Sequence, residues 1–146
     1  MQRIWHWLWT ASGKAAGSAE KGIALLILRI VFGGLMLYGH GWGKLTGFAE
    51  KAPVFRDPIG IGSTPSMILA MGAEVFCALL LVVGLATRLA AIPLMITMLV
   101  AAFLVHLHDP FPKFELPLLY LAGYAALLLM GPGRYSLDGW MARRRG

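Results

Sequence analysis

The sequence predicts an all-α integral membrane protein, a bundle of four transmembrane helices, and three observations carry that prediction. The composition is 58% hydrophobic, with a mean hydropathy of +0.70 over 146 residues, too apolar for an ordinary soluble domain. Four apolar runs approach the roughly 20 residues that cross a hydrocarbon core about 30 Å thick, and segments rich in Gly, Pro and charge separate them. Two of the runs lie within EVFCALLLVVGLATRLAAIPLMITMLVAAFLVHLHD, from Glu74 to Asp109. The break between them at Gly84, Thr87 and Arg88 leaves room only for a tight turn, so these two helices form an antiparallel hairpin.

Each element follows from local signals. Residues Met1 to Glu20 lack the continuous apolar core of a secretory signal. Ile4, Trp5, Leu8 and Trp9 share a helical face beside Arg3 and Lys14, which marks residues 1–21 as a short amphipathic interfacial helix. On that reading His6 belongs to a surface anchor and not to a ligand site. The transmembrane domain covers 22–138. Its first span runs from about Gly22 to His40 and places Arg29, Gly33, Met36 and His40 on one face. Gly33 and Gly34 suit close approach of a neighbouring helix.

The Gly- and Pro-rich stretch GWGKLTGFAEKAPVFRDPIGIGSTPS, from Gly41 to Ser66, is an extramembrane loop, long enough to suggest a role of its own. Ser63 or Thr64 is the expected cap of the second helix, with Pro65 in its first turn. The second helix runs to about Leu85, the third from about Leu89 to Leu107 with Pro93 near its start, and the fourth from about Glu115 to Met130. Residues 139–146 form a basic tail.

Charge and cysteine usage narrow the functional classes. The net charge is +6, but the cations are scattered among spans and termini without a basic and aromatic groove, so nucleic acid is excluded as a partner. Arg3, Lys14, Lys21, Arg88, Arg134, Arg143, Arg144 and Arg145 collect on one side, against Lys44, Lys51, Arg56 and Lys113 on the other. The positive-inside rule then places both termini in the cytoplasm. Cys77 is the only cysteine, which excludes an internal dithiol relay; one helical turn from Glu74, it reads as an inert core residue.

The chemistry-bearing residues are the charges inside the spans. Glu74 inside a transmembrane helix requires a partner, and counting residues along the helices pairs it with Arg29. That ion pair would line a pocket or only fix helix register. The four-span topology gathers His40, Lys44, His106, His108, Asp109 and Glu115 at the opposite end from the termini. The histidines there suit a proton shuttle, or snorkel at the interface. His106, His108 and Asp109 also have the donor types of a copper or zinc ion site. Met95 and Met98 are a weaker pointer to a soft metal, because methionine in an apolar helix is usually filler.

Four blocks carry a family resemblance: LRIVFGGLMLYGHGWGKL from Leu28 to Leu45, AEVFCALLLVVGLATRLAAIPLMITMLVA from Ala73 to Ala101, FELPLLYL from Phe114 to Leu121 and GPGRYSLD from Gly131 to Asp138. In this order they resemble the DoxX family of small bacterial four-helix membrane proteins. The resemblance puts Arg29, His40, Lys44, Glu74, Arg88 and Glu115 on the family's recurrent polar positions. It implies a multi-pass protein of the bacterial inner membrane that is at most the membrane subunit of a quinone-linked oxidoreductase.

Three functional expectations follow. In the first, Glu74, Arg29 and His40 act at the reaction centre, and Arg29, His40, Lys44, Glu74, His106 and Glu115 hold a quinone or similar lipid-soluble ligand for other protein subunits of a redox complex. In the second, the chain is a metal-handling accessory protein. In the third, it is a non-catalytic partner whose loop over residues 47–62 docks another protein. A homo-oligomer is compatible with all three.

Overall fold

A computed structural model describes residues 19–145. The interfacial helix expected over 1–21, and with it His6, lies outside the described residues, except that residues 19–21 open the first spanning helix. Six helices follow: α1 (Ala19–Thr46), α2 (Phe48–Lys51), α3 (Ser63–Val83), α4 (Thr87–Val105), α5 (Phe111–Met130) and α6 (Leu137–Arg145). Of these, α1, α3, α4 and α5 are long and apolar enough to cross a membrane. No strand occurs among the described residues. We call the end holding Ala19, Gly84 and Met130 the base, and the end holding Thr46, Ser63 and Phe111 the crown.

The core is a thin axial stripe. Met36, Leu81, Leu94, Tyr124 and Leu127 are inaccessible, while Ile27, Leu35, Leu79, Ile96 and Leu119 on the same helices are exposed. An apolar exterior of this extent is stable only against lipid tails. Packing inside such a bundle depends on close backbone approach, because burial of apolar groups from lipid supplies no hydrophobic drive. Gly33 provides it between α1 and α3: a Cβ there would come within 2.7 Å of Val82 and 3.1 Å of the Ala78 carbonyl oxygen. Gly41 does the same one level higher, where a Cβ would sit 2.6 Å from the Glu74 carbonyl oxygen. Gly34, expected to share this role, faces open space.

These contacts set an antiparallel register in which Gly41 lies level with Glu74, Gly33 with Ala78 and Val82, and Arg29 with Gly84. The two helices therefore end at different heights. At about 1.5 Å per residue, α3 rises roughly 16 Å above the Glu74 level and α1 only about 8 Å. The chain after α1 fills that difference: α2 and the tight turn Ala52–Val54 fold back against α1 and the first half of α3.

Local outcomes differ from the sequence expectation in three places. The first span does not stop near His40; a π turn over Leu37–Gly41 carries it on to Thr46. Neither Ser63 nor Thr64 caps α3. The residue before the helix is Gly62, with no side-chain cap, and Asp57 instead ties the preceding loop to the first turn, accepting the amides of Gly60, Ile61 and Gly62 and the Ser66 hydroxyl. The fourth span starts at Phe111, one turn earlier than Glu115, because Pro110 precedes it and Pro112 suits a first turn.

Candidate functional site

The intramembrane carboxylate pairs with a lysine. Lys44 donates from Nζ to Oε2 of Glu74, whose side chain is 6% exposed against 20% for the lysine. Glu74 sits in a π turn of α3, Gly72–Cys77, and His40 in the π turn of α1. Such turns inside α-helices are frequent at functional sites, since the extra residue re-aims a side chain and relaxes the backbone ladder. Lys44 lies one turn beyond Gly41. Side chains on a helix lean toward its N-terminus, so the lysine bends back to the Glu74 level. Its ammonium has three donors, of which Glu74 takes one.

An aromatic wall adjoins the pair. The His40 ring meets Tyr120 edge-on at 5.7 Å between centroids, and both charges of the ion pair act on it. Tyr120 in turn lies 5.8 Å from Phe32 and 5.9 Å from Tyr124. Tyr124 is inaccessible and donates its hydroxyl to the Phe32 carbonyl, 3.2 Å away. The site thus combines an ammonium, a carboxylate and an imidazole with a cluster of aromatic rings set mostly edge to face, drawn from α1, α3 and α5. Donors of the first and third kind can hold a carbonyl or hydroxyl of a lipid-soluble ring.

The expected ion pair between Arg29 and Glu74 does not form. Arg29 lies level with Gly84, ten residues from Glu74 along α3, and at about 1.5 Å per residue that is roughly 15 Å. Counting from helix ends assumed that α1 and α3 end at one height, and they do not. Arg29 is instead wholly buried at the base, where Nη2 donates to the Tyr135 carbonyl oxygen and Asp138 is the nearby counter-charge. Its Nε and Nη1 have no hydrogen-bond partner among the described residues.

Asp138 itself pins the hairpin turn. It accepts the amides of Ala86 and Thr87 at 2.8 and 2.9 Å and the Thr87 hydroxyl at 3.0 Å, while its own amide donates to the Gly84 carbonyl. Arg88 is also structural: buried, it donates from Nε to the Leu128 carbonyl at 3.1 Å, at the C-terminal end of α5, where free carbonyls and the helix dipole favour a cation. Tyr120, Tyr124 and Asp138 escaped the sequence reading. The signal for Asp138 was available, since α4 begins at Thr87 with no capping acid of its own.

At the crown the expected cluster is only partly assembled. His106 Nδ1 lies 2.8 Å from Asp109 Oδ2, and Arg56 of the long loop donates to the Val105 carbonyl at 2.8 Å. The His106 hydrogen bond, aided by the charges of Lys113 and Arg56, holds the Asp109 carboxyl below the ordinary carboxylate value. His108 and Glu115 are exposed. Among the described residues no group of three or more His, Cys, Asp or Glu side chains could hold a metal ion. Of the expected polar set, the structure brings together His40, Lys44 and Glu74, pairs His106 with Asp109, and leaves Arg29 at the other end.

Fold and site together define a multi-pass helical membrane protein with a buried charged pair inside its bundle. The DoxX family model matches residues 24–107, and the chain belongs to that family. It is similar to an uncharacterized protein of Haemophilus influenzae, 33% identical over 126 residues that cover 81% of this chain and 83% of the relative. It is also similar to an uncharacterized membrane protein of Mycobacterium tuberculosis, 30% identical over 141 residues and covering 86% of each. No solved structure matches the chain.

Proposed function

We propose that this DoxX protein binds the polar head of a quinone, or of a similar lipid-soluble ring, at Lys44, Glu74 and His40 and serves as a membrane subunit of an oxidoreductase complex. The observation that carries the reading is the Lys44 to Glu74 pair near the middle of α3, beside His40 and the Phe32, Tyr120, Tyr124 aromatic wall. A charged pair at that depth has to be explained, because apolar side chains of similar volume would stabilise the bundle as well or better.

The residues fit such a ligand. Lys44 keeps two donors beyond the one that Glu74 takes, and a fifth of its side chain is exposed, so a ring oxygen can reach it. His40, also partly exposed, can donate a hydrogen bond to a second oxygen or accept a proton from it. Glu74 holds the ammonium in place and balances its charge. The half-buried Phe32 and the buried Tyr120 and Tyr124 make the surroundings of the polar head apolar and aromatic. When bound, a quinone would carry electrons and protons between partner subunits and the lipid phase.

The test is mass spectrometry of lipids that co-purify with the protein in mild detergent. Wild type is expected to retain quinone, and folded Lys44→Met and Glu74→Gln variants to lose it. The proposal fails if wild type carries none, or if both variants retain the wild-type amount.

A further inference from the structure

We propose that the base of the bundle carries a binding site for one anionic phospholipid, formed where α6 folds against the end of α3. A shallow groove there is lined by Val83, Arg134, Tyr135, Leu137, Trp140 and Arg143. Its composition is divided in a way that matches one kind of molecule. Val83, Tyr135, Leu137 and Trp140 are exposed and apolar or aromatic, suited to the glycerol and first methylenes of an acyl chain at headgroup level. Arg134 and Arg143 flank them, and a guanidinium engages a phosphate through paired N–H donors.

These arginines are held in place. Arg143 Nη1 donates to the Arg134 carbonyl oxygen at 2.9 Å. The Arg134 guanidinium lies 5.2 Å from the Tyr135 ring centroid, and Arg144 lies 3.8 Å above the Trp140 ring. The Arg134 stem rests on Gly22 of α1, where a Cβ would come within 2.5 Å of Cγ. Cations that only orient a chain in the membrane need no fixed geometry; here packing sets their positions around an apolar groove.

The charge is also left uncompensated by the protein. Asp138, the carboxylate of α6, is turned to the amides of Ala86 and Thr87 and the Thr87 hydroxyl. Glu20 is the other carboxylate at the base among the described residues, against exposed Lys21, Arg134, Arg143 and Arg144. A zwitterionic lipid offers the phosphate but cancels its charge with an amine. An anionic headgroup such as phosphatidylglycerol does not.

Native mass spectrometry on the full chain in detergent, titrated with phosphatidylglycerol and separately with phosphatidylcholine, tests the site. Wild type is expected to retain one phosphatidylglycerol in preference to phosphatidylcholine. Arg134→Gln with Arg143→Gln should weaken retention on the order of fivefold for each guanidinium removed. Lys51→Gln with Lys113→Gln, which removes the same charge at the crown, should leave retention unchanged. Equal retention of the two lipids, or equal loss in the two double variants, would overturn the proposal. Should the arginine variant fail to fold, competition on wild type decides: glycerol 3-phosphate that displaces the lipid at equal concentration would reduce the site to a free-anion site and refute the lipid assignment.

Discussion

Replacing Lys44 by Met isolates the energetics of the buried pair. Glu74 would be left 6% exposed with no cation beside it. Breaking a fully buried pair from one side costs about 3–5 kcal/mol. The lysine end retains 20% exposure, so solvent already screens part of the attraction, and about 2–3 kcal/mol is the expected loss. For a chain of this size that corresponds to a fall in Tm of roughly 5–10 °C, readable by far-UV circular dichroism in detergent.

The companion variants make the test specific. Lys44→Met with Glu74→Leu removes both charges and should return to within about 1 kcal/mol of wild type. Arg29→Met with Glu74→Gln should be additive within about 0.5 kcal/mol, as for sites without shared partners. The reasoning is refuted if Lys44→Met is as stable as wild type, if the double replacement is no better than the single one, or if Arg29 rather than Lys44 shows coupling to Glu74.

Three further predictions concern the scaffold. Gly84→Ala should destabilise by at least about 2 kcal/mol, because φ is +73° and the new Cβ would run into the Arg29 guanidinium; Gly34→Ala, in open space, should be neutral or slightly stabilising in the same thermal assay. Asp138→Ala should cost about 2 kcal/mol, near the upper limit for loss of a helix cap, since it also strips the counter-charge from Arg29; Tm and protease sensitivity of the turn at 84–87 report it. Asp57 carries the pH prediction. Hydrogen bonds from Ser66, Gly62, Ile61 and Gly60 hold its carboxyl below the ordinary value, so the order it lends the loop is fully present above about pH 3.9 and is lost as pH falls through the lower folded value. Hydrogen exchange at Gly60 to Gly62 should therefore be flat from pH 5 to 8, after correction for intrinsic rates, and rise in acid, with Ser66→Ala moving the onset to higher pH.

The number of spans, the tight hairpin at Gly84 to Arg88 and the need of Glu74 for a partner are all legible in the chain. Hydropathy and turn chemistry are local properties, additive along a short window, and lipid imposes the span length. The resemblance of four separated blocks placed the chain in its family for the same reason, since each block is a local string. Glu74 was recognisable as a candidate because an ionisable group in an apolar run stands out one residue at a time, and His40 and Lys44 because the four-span topology gathers them at one end.

Which of them meet was not legible. Partner choice depends on the relative heights of the helices, and those follow from backbone contacts at Gly33 and Gly41 that no hydropathy window weighs. Ten residues along α3 separate Glu74 from Gly84, the level of its expected partner Arg29. The same holds for Asp138, which caps a helix beginning 51 residues earlier, and for Tyr120 and Tyr124, whose sequence signal is that of any core aromatic. The sequence by itself determined that charges would be buried in this bundle; the tertiary structure decided that Lys44 rather than Arg29 answers Glu74, because electrostatic pairing in lipid acts over a few ångströms and helix packing sets which groups come within that reach.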